Sequence, residues 1–221
     1  MLRAFFLLLS VVAAFGVSAS NNVTQLEDNG IQRWTPKVFS GASSYTLGQH
    51  KGRLALQAIS DKSASGLVLT QKVDLNKTPY LSWSWLIENK LLELDERSKN
   101  GDDFAARIYL VIDGGLLVWK TKSLNYVWSS NQSAGKVWNN AFAGSRVKMM
   151  SIRGTESKIG QWYQEKRNLY QDLIDVFGDK GSERANLKAY QYIDVIAIMT
   201  DTDNSKQSAE SYYGDIVFSR I

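Results

Sequence analysis

The sequence predicts an all-β fold: a two-sheet antiparallel β-sandwich of jelly-roll type with one packed helix. Three observations predict it. Apolar residues recur with period two in several runs, turn residues separate those runs, and only one stretch carries a helical period. The clearest run is 104–112. There Phe104, Ala106, Ile108, Leu110 and Ile112 share one side, and Arg107 and Tyr109 share the other. About eight such strands in a chain of this length match a sandwich.

At the N-terminus, Arg3 precedes an apolar run over 4–16, and Val17-Ser18-Ala19 supplies small residues for cleavage. A run this short does not cross a hydrocarbon core of about 30 Å. The expectation is a signal peptide over 1–19 and one β-sandwich domain over 20–221, periplasmic or extracellular. No later run reaches the length of a membrane span, so the mature chain is expected to leave the membrane. Strands are expected at 53–59, 65–73, 104–112, 117–128, 146–152, 192–200 and 214–220, with Leu81, Trp83, Trp85 and Ile87 facing inward from another. Asn76-Lys77-Thr78-Pro79 and Gly178-Asp179-Lys180-Gly181 mark turns. Asp113-Gly114-Gly115 joins 104–112 to 116–128 as an antiparallel hairpin. Over 161–177, Trp162, Tyr163, Leu169, Leu173, Ile174 and Phe177 fall in one arc of a helical wheel, and Gly178 stops it, so the segment reads as an amphipathic helix or two short ones. Lys166 interrupts that arc. The segments 88–103 and 129–144 read as long loops, the second centred on Trp138.

Composition narrows the chemistry. The chain has no cysteine, which excludes disulfides, thiolate nucleophiles and thiolate metal sites. Its one histidine, His50, lies between Gly48 and Gly52 and reads as a solvated turn residue. Loss of Arg3 lowers Lys plus Arg from 26 to 25 against 22 Asp plus Glu, a net charge of +3. These charges are interspersed, with no basic stripe for a phosphate backbone, so nucleic acid is not an expected partner.

Three constellations remain. Asp201, Asp203 and Asn204 follow one strand and Asp102-Asp103 precedes another. Clustered oxygen donors suit calcium, but with no complete calcium-loop motif they read first as Asx-turns and strand caps, and no cofactor is expected ahead of that. On the helical reading, Glu165 and Asp172 share a wheel angle with Arg167 across the arc. With Tyr109, these are the candidate catalytic groups if the protein is an enzyme. Arg107, Tyr109, Asn125, Trp128 and Arg167 are the candidate ligand contacts, because aromatic rings suit sugar CH faces and polar groups read hydroxyls.

Taken together, Trp83-Ser84-Trp85, Gly101-Asp102-Asp103-Phe104-Ala105-Ala106-Arg107-Ile108-Tyr109, Leu124-Asn125-Tyr126-Val127-Trp128, Arg167-Asn168 with Asp172, Thr200-Asp201-Thr202-Asp203-Asn204 and Tyr213-Gly214-Asp215-Ile216 resemble a family of secreted bacterial proteins known only as a domain of unknown function. The resemblance spans nearly the whole mature chain. It implies a likeness, at the level of fold, to carbohydrate-binding, galactose-binding-like sandwiches. Within 165–172 it weighs Arg167, Asn168 and Asp172 above Glu165. The leading expectation is a binding module for a carbohydrate or envelope glycan. The alternatives are a polysaccharide-degrading enzyme, either a lyase with a Tyr base or a carboxylate hydrolase, and a structural envelope protein.

Overall fold

A computed structural model describes residues 20–221, so the predicted signal peptide lies outside the described residues. The strands are β1 (Ser20–Asn22), β2 (Thr35–Ser40), β3 (Ser44–His50), β4 (Arg53–Asp61), β5 (Ala64–Asp74), β6 (Tyr80–Ile87), β7 (Ala106–Ile112), β8 (Lys122–Trp128), β9 (Val137–Asn140), β10 (Gly144–Arg153) and β11 (Tyr163–Asn168). Helices α1 (Leu169–Phe177) and α2 (Glu183–Tyr190) follow, and then β12 (Tyr192–Asp201), β13 (Ser208–Tyr213) and β14 (Val217–Ser219).

Two sheets face each other. The first runs β1-β14-β6-β13-β4-β3, with β11 on the free side of β6; the second runs β2-β5-β12-β7-β8-β10-β9. Pairing is antiparallel except between β8 and β10, which are parallel. The inward sets are those of the alternation: Leu81, Trp83, Trp85 and Ile87 from β6 meet Ala106, Ile108 and Leu110 from β7. Trp83 stacks on Tyr126 with centroids 5.2 Å apart, and Trp85 packs on Trp128 at 5.8 Å. These large rings fill the gap between the sheets at low entropy cost.

The hairpin forms in register from Ala106↔Trp128 to Ile112↔Lys122, although its connection runs on through a 3-10 turn at Val118–Lys120. The expected helix over 161–177 does not form as one piece. Residues 163–168 are β11, paired with β6 from Tyr163↔Trp85 to Asn168↔Tyr80, because the free side of β6 needs a partner. Helix α1 starts after Asn168, whose side chain accepts the Gln171 N–H at 3.1 Å, and it ends at Gly178 with φ 90°. Lys166 therefore breaks the wheel because it belongs to a strand, where its ammonium lies over the Tyr80 ring. A second helix, α2, is capped by Ser182 and adds to the single helix expected.

His50 is not a solvated turn residue. It ends β3, stacks on Tyr212 with centroids 3.4 Å apart, and its Nε2 lies 3.0 Å from a Glu88 oxygen. Trp138 sits in β9 rather than in a loop, buried against Phe104, with its indole N–H donated to the Glu96 carbonyl.

Candidate functional site

The outward face of the second sheet carries the chemistry. Alternation on β7 turns Arg107 and Tyr109 away from the core, and register sets Met199 beside Arg107 and Asn125 beside Tyr109. Above them lies a cleft of about 430 Å³, within the size range of small-molecule sites. Its polar lining includes Asp102, Arg107, Asn125, Asn140, Asp203 and Asn204, and the rings of Phe39, Tyr109 and Phe142 complete it. Phe39 and Phe142 are exposed. A second, smaller hollow of about 160 Å³ adjoins it through Phe39 and Tyr109, floored by Val111, Val195 and Ala197. The outer face of β12 is thus half-buried and open to this furrow, rather than covered as its nearly continuous apolar run suggested.

Arg107 organises the polar end. Its side chain is buried, the residue being 3% exposed, yet it donates to the Asp201 carboxylate, lies 3.6 Å from Asp102 and faces the rings of Phe104 and Tyr109. Burial opposes its charge, but Asp201, Tyr109 and Asp102 outweigh that and raise its pKa. Burial pushes Asp201 up to about 7, Arg107 pulls it down, and Asp103 and Asp102 raise it again. Asp102 is also raised, chiefly by burial, against the pull of Arg107 and the Asn140 amide. Asn140 donates to Asp102 at 2.8 Å and accepts the N–H groups of Phe142 and Ala143, so one amide ties the acidic end to the turn that presents Phe142.

Burial raises the Tyr109 phenol well above its usual value, and its hydroxyl points at Met199 Sδ at 3.3 Å. That keeps the phenol protonated and opposes its use as a lyase base. Arg107, already engaged by two carboxylates, is poorly placed to neutralise a uronate.

Asp103, Asp201 and Asp203 each offer a carboxylate oxygen within 4.8 Å of the others. Two oxygens on one calcium ion lie up to about 5 Å apart, so the donor set and its spacing fit a hard cation. Asp103 joins the expected group of Asp201, Asp203 and Asn204, and accepts the N–H groups of Asn204 and Ser205.

The remaining candidates stand elsewhere. Trp128 is fully buried between Trp85 and Tyr163, on the opposite face of β8 from Asn125, so it is not a ligand contact. Glu165 lies on β11, accepts the Trp85 indole N–H at 3.0 Å and pairs with Arg153. Arg167 pairs with Asp172, which also accepts the Tyr126 hydroxyl at 2.5 Å. None of these four lines the cleft; with Glu165 on a strand, the shared wheel angle with Asp172 disappears. Phe39, Phe142 and Asn140 were absent from the sequence-level set. An aromatic residue in a run of small and polar ones, as at Phe142, was the one available signal.

Fold and site together define a β-sandwich with a ring-lined, acid-ended cleft on the outer face of one sheet. Residues 32–217 match the family described as "Protein of unknown function (DUF3047)", and the chain belongs to that family. No curated protein matches it. Among solved structures, it is similar to a thermostable variant of the Cel12A cellulase of Rhodothermus marinus, with 10% identity, 92% of this chain and 97% of that one covered, and a TM-score of 0.47. It is also similar to the xyloglucanase domain of NopAA, a type three effector from Sinorhizobium fredii, solved with cellobiose, with 12% identity, coverage of 84% and 92%, and a TM-score of 0.47. A third is the cellulose induced protein Cip1, with 11% identity, coverage of 92% and 97%, and a TM-score of 0.48.

Proposed function

We propose that the protein is an exported binding protein whose cleft takes a carbohydrate of the cell envelope or its surroundings. One observation carries this reading: exposed Phe39 and Phe142 and the Tyr109 ring share a cleft with fixed amide and carboxylate groups. Rings meet the CH faces of a sugar while Asp203 and Asn204 are placed to read its hydroxyls. The ligand class follows from charge. The cleft gathers Asp102, Asp201 and Asp203 around a single, already paired arginine, which favours neutral or amino-bearing sugars over uronates.

The test is electrophoresis through gels containing neutral or uronate polysaccharides, with the polymers sized afterwards. Retardation is expected on a neutral polymer left intact, and Phe39→Ala with Phe142→Ala should weaken it at least about tenfold, as loss of ring contacts does. Retardation unchanged in that double variant would refute the cleft as the site.

A carboxylate-dependent glycoside hydrolase is the second reading, favoured by Asp201, a cleft acid held near 7, with Asp203 close by. Shortened polymer, abolished by Asp203→Asn, would put that reading first.

A further inference from the structure

The connection between β7 and β8 projects an unusual surface. Leu116 is 99% exposed, Val118 68% and Trp119 61%, with Leu117 beside them. Four consecutive apolar residues at a loop tip lose hydrophobic free energy to water unless something covers them. The tip is also built to hold its shape. Leu117 N–H bonds to the Gly114 carbonyl, Lys120 N–H to Leu117, Thr121 N–H to Val118, and Gly114 N–H to the Thr121 hydroxyl. A Cβ at Gly114 would lie 2.3 Å from the Leu117 carbonyl oxygen, and Gly115 has φ +58°, so the glycine pair is what allows the tight fold. These bonds fix the loop in one shape and hold Leu116, Val118 and Trp119 outward, where they can enter an apolar medium.

The surroundings of the tip identify that medium. Lys120, Lys122, Arg146 and Lys188 line one hollow with Trp119, and Lys180 is near enough to help lower the Lys122 pKa, which burial lowers first. Two acids stand at the base. Asp113 accepts the Gly115 N–H and Asp194 accepts the Asp113 N–H, so both are spent on the turn. Four cationic side chains thus share the hollow with Trp119, against one acid, Asp113. A second copy would bring the same positive charges against these, which disfavours self-association. We propose that this tip docks the protein on an anionic phospholipid surface. Leu116, Val118 and Trp119 enter the interface, and Lys120, Lys122, Arg146 and Lys188 meet the headgroups. Among the described residues no helix is long and apolar enough to cross a membrane, so the contact is peripheral. The acidic end of the cleft, at Asp102 and Asp201, lies beyond the opposite end of β7, which keeps it clear of the surface.

Sedimentation of the purified protein with phosphatidylcholine vesicles, with and without phosphatidylglycerol, tests this directly. Binding is expected only with phosphatidylglycerol and is expected to fall with added salt. Leu116→Ser with Trp119→Ser should weaken it about tenfold or more, and Lys120→Glu with Arg146→Glu comparably. All four positions are exposed, so the variants should keep the parent circular dichroism and melting temperature. Absence of binding to the anionic vesicles would overturn the proposal, as would binding unchanged in the serine variant. Concentration-dependent self-association abolished by that same variant would also overturn it, and would assign the tip to a contact between copies.

Discussion

Arg107 shows what one side chain costs and holds at this site. Its guanidinium is buried between Asp201 and Asp102, with its Nε lacking any hydrogen-bond partner. Removing one partner of a buried pair leaves the other charge unmet, which costs about 3–5 kcal/mol. Arg107→Met should therefore lower stability by about that amount in denaturant unfolding, and adding Asp201→Asn should return part of it. A variant of wild-type stability would show that the pair is not formed in solution. Glu165 is the contrasting case. Its oxygens serve Trp85 and Arg153, so Glu165→Gln should cost about 1–3 kcal/mol and leave polysaccharide retardation unchanged. The outward placement of Arg107 and Tyr109 was legible from alternation alone. The same parity separates Asn125 from Trp128, and grouping them as joint ligand contacts overlooked it. Phe39 was not legible, because nothing local in Thr35–Ser40 says that this strand borders a cleft.

At the level of elements, patterns fixed by a strand's own faces were readable and those fixed by a neighbour were not. β6 and β7 announce their buried sides by period two. β11 does not: Tyr163–Asn168 fits a helical wheel as well as a strand, and the open side of β6 decides between them. The brace across this join makes a test. Tyr126 from β8 donates to Asp172 at the start of α1, and Arg167 from β11 pairs with the same carboxylate. Three elements thus converge on one buried acid. Tyr126→Phe keeps the ring that stacks on Trp83 and removes only the hydroxyl, so a loss of about 1–3 kcal/mol should appear with the core spectrum intact. No loss would mean that Arg167 alone satisfies Asp172.

For the molecule as a whole, the acidic cluster makes stability depend on pH and on cations together. Asp201 has a folded pKa of about 7 against an ordinary 3.8. Between those values the folded state keeps a proton that the unfolded chain has released, so its stabilisation is complete below about pH 4 and is lost as the pH rises through 7. Asp102 and Glu96 are raised in the same direction, chiefly by burial. Glu210, lowered by its bond from Tyr212, and Asp179, lowered by the Gly181 N–H, act oppositely, but neither is buried. In chelator, the melting temperature should therefore fall from mildly acidic pH towards pH 8, and Asp201→Asn should flatten the slope. A cation held by Asp103, Asp201 and Asp203 removes the penalty for ionising Asp201. Calcium at about 100 times its Kd should add about 2.7 kcal/mol, or roughly 5–10 °C in a chain of this size, with its largest effect above pH 7. A slope that persists in calcium, with no rise in melting temperature, would assign the three aspartates to the Arg107 pair and the backbone N–H groups they accept, and not to a metal.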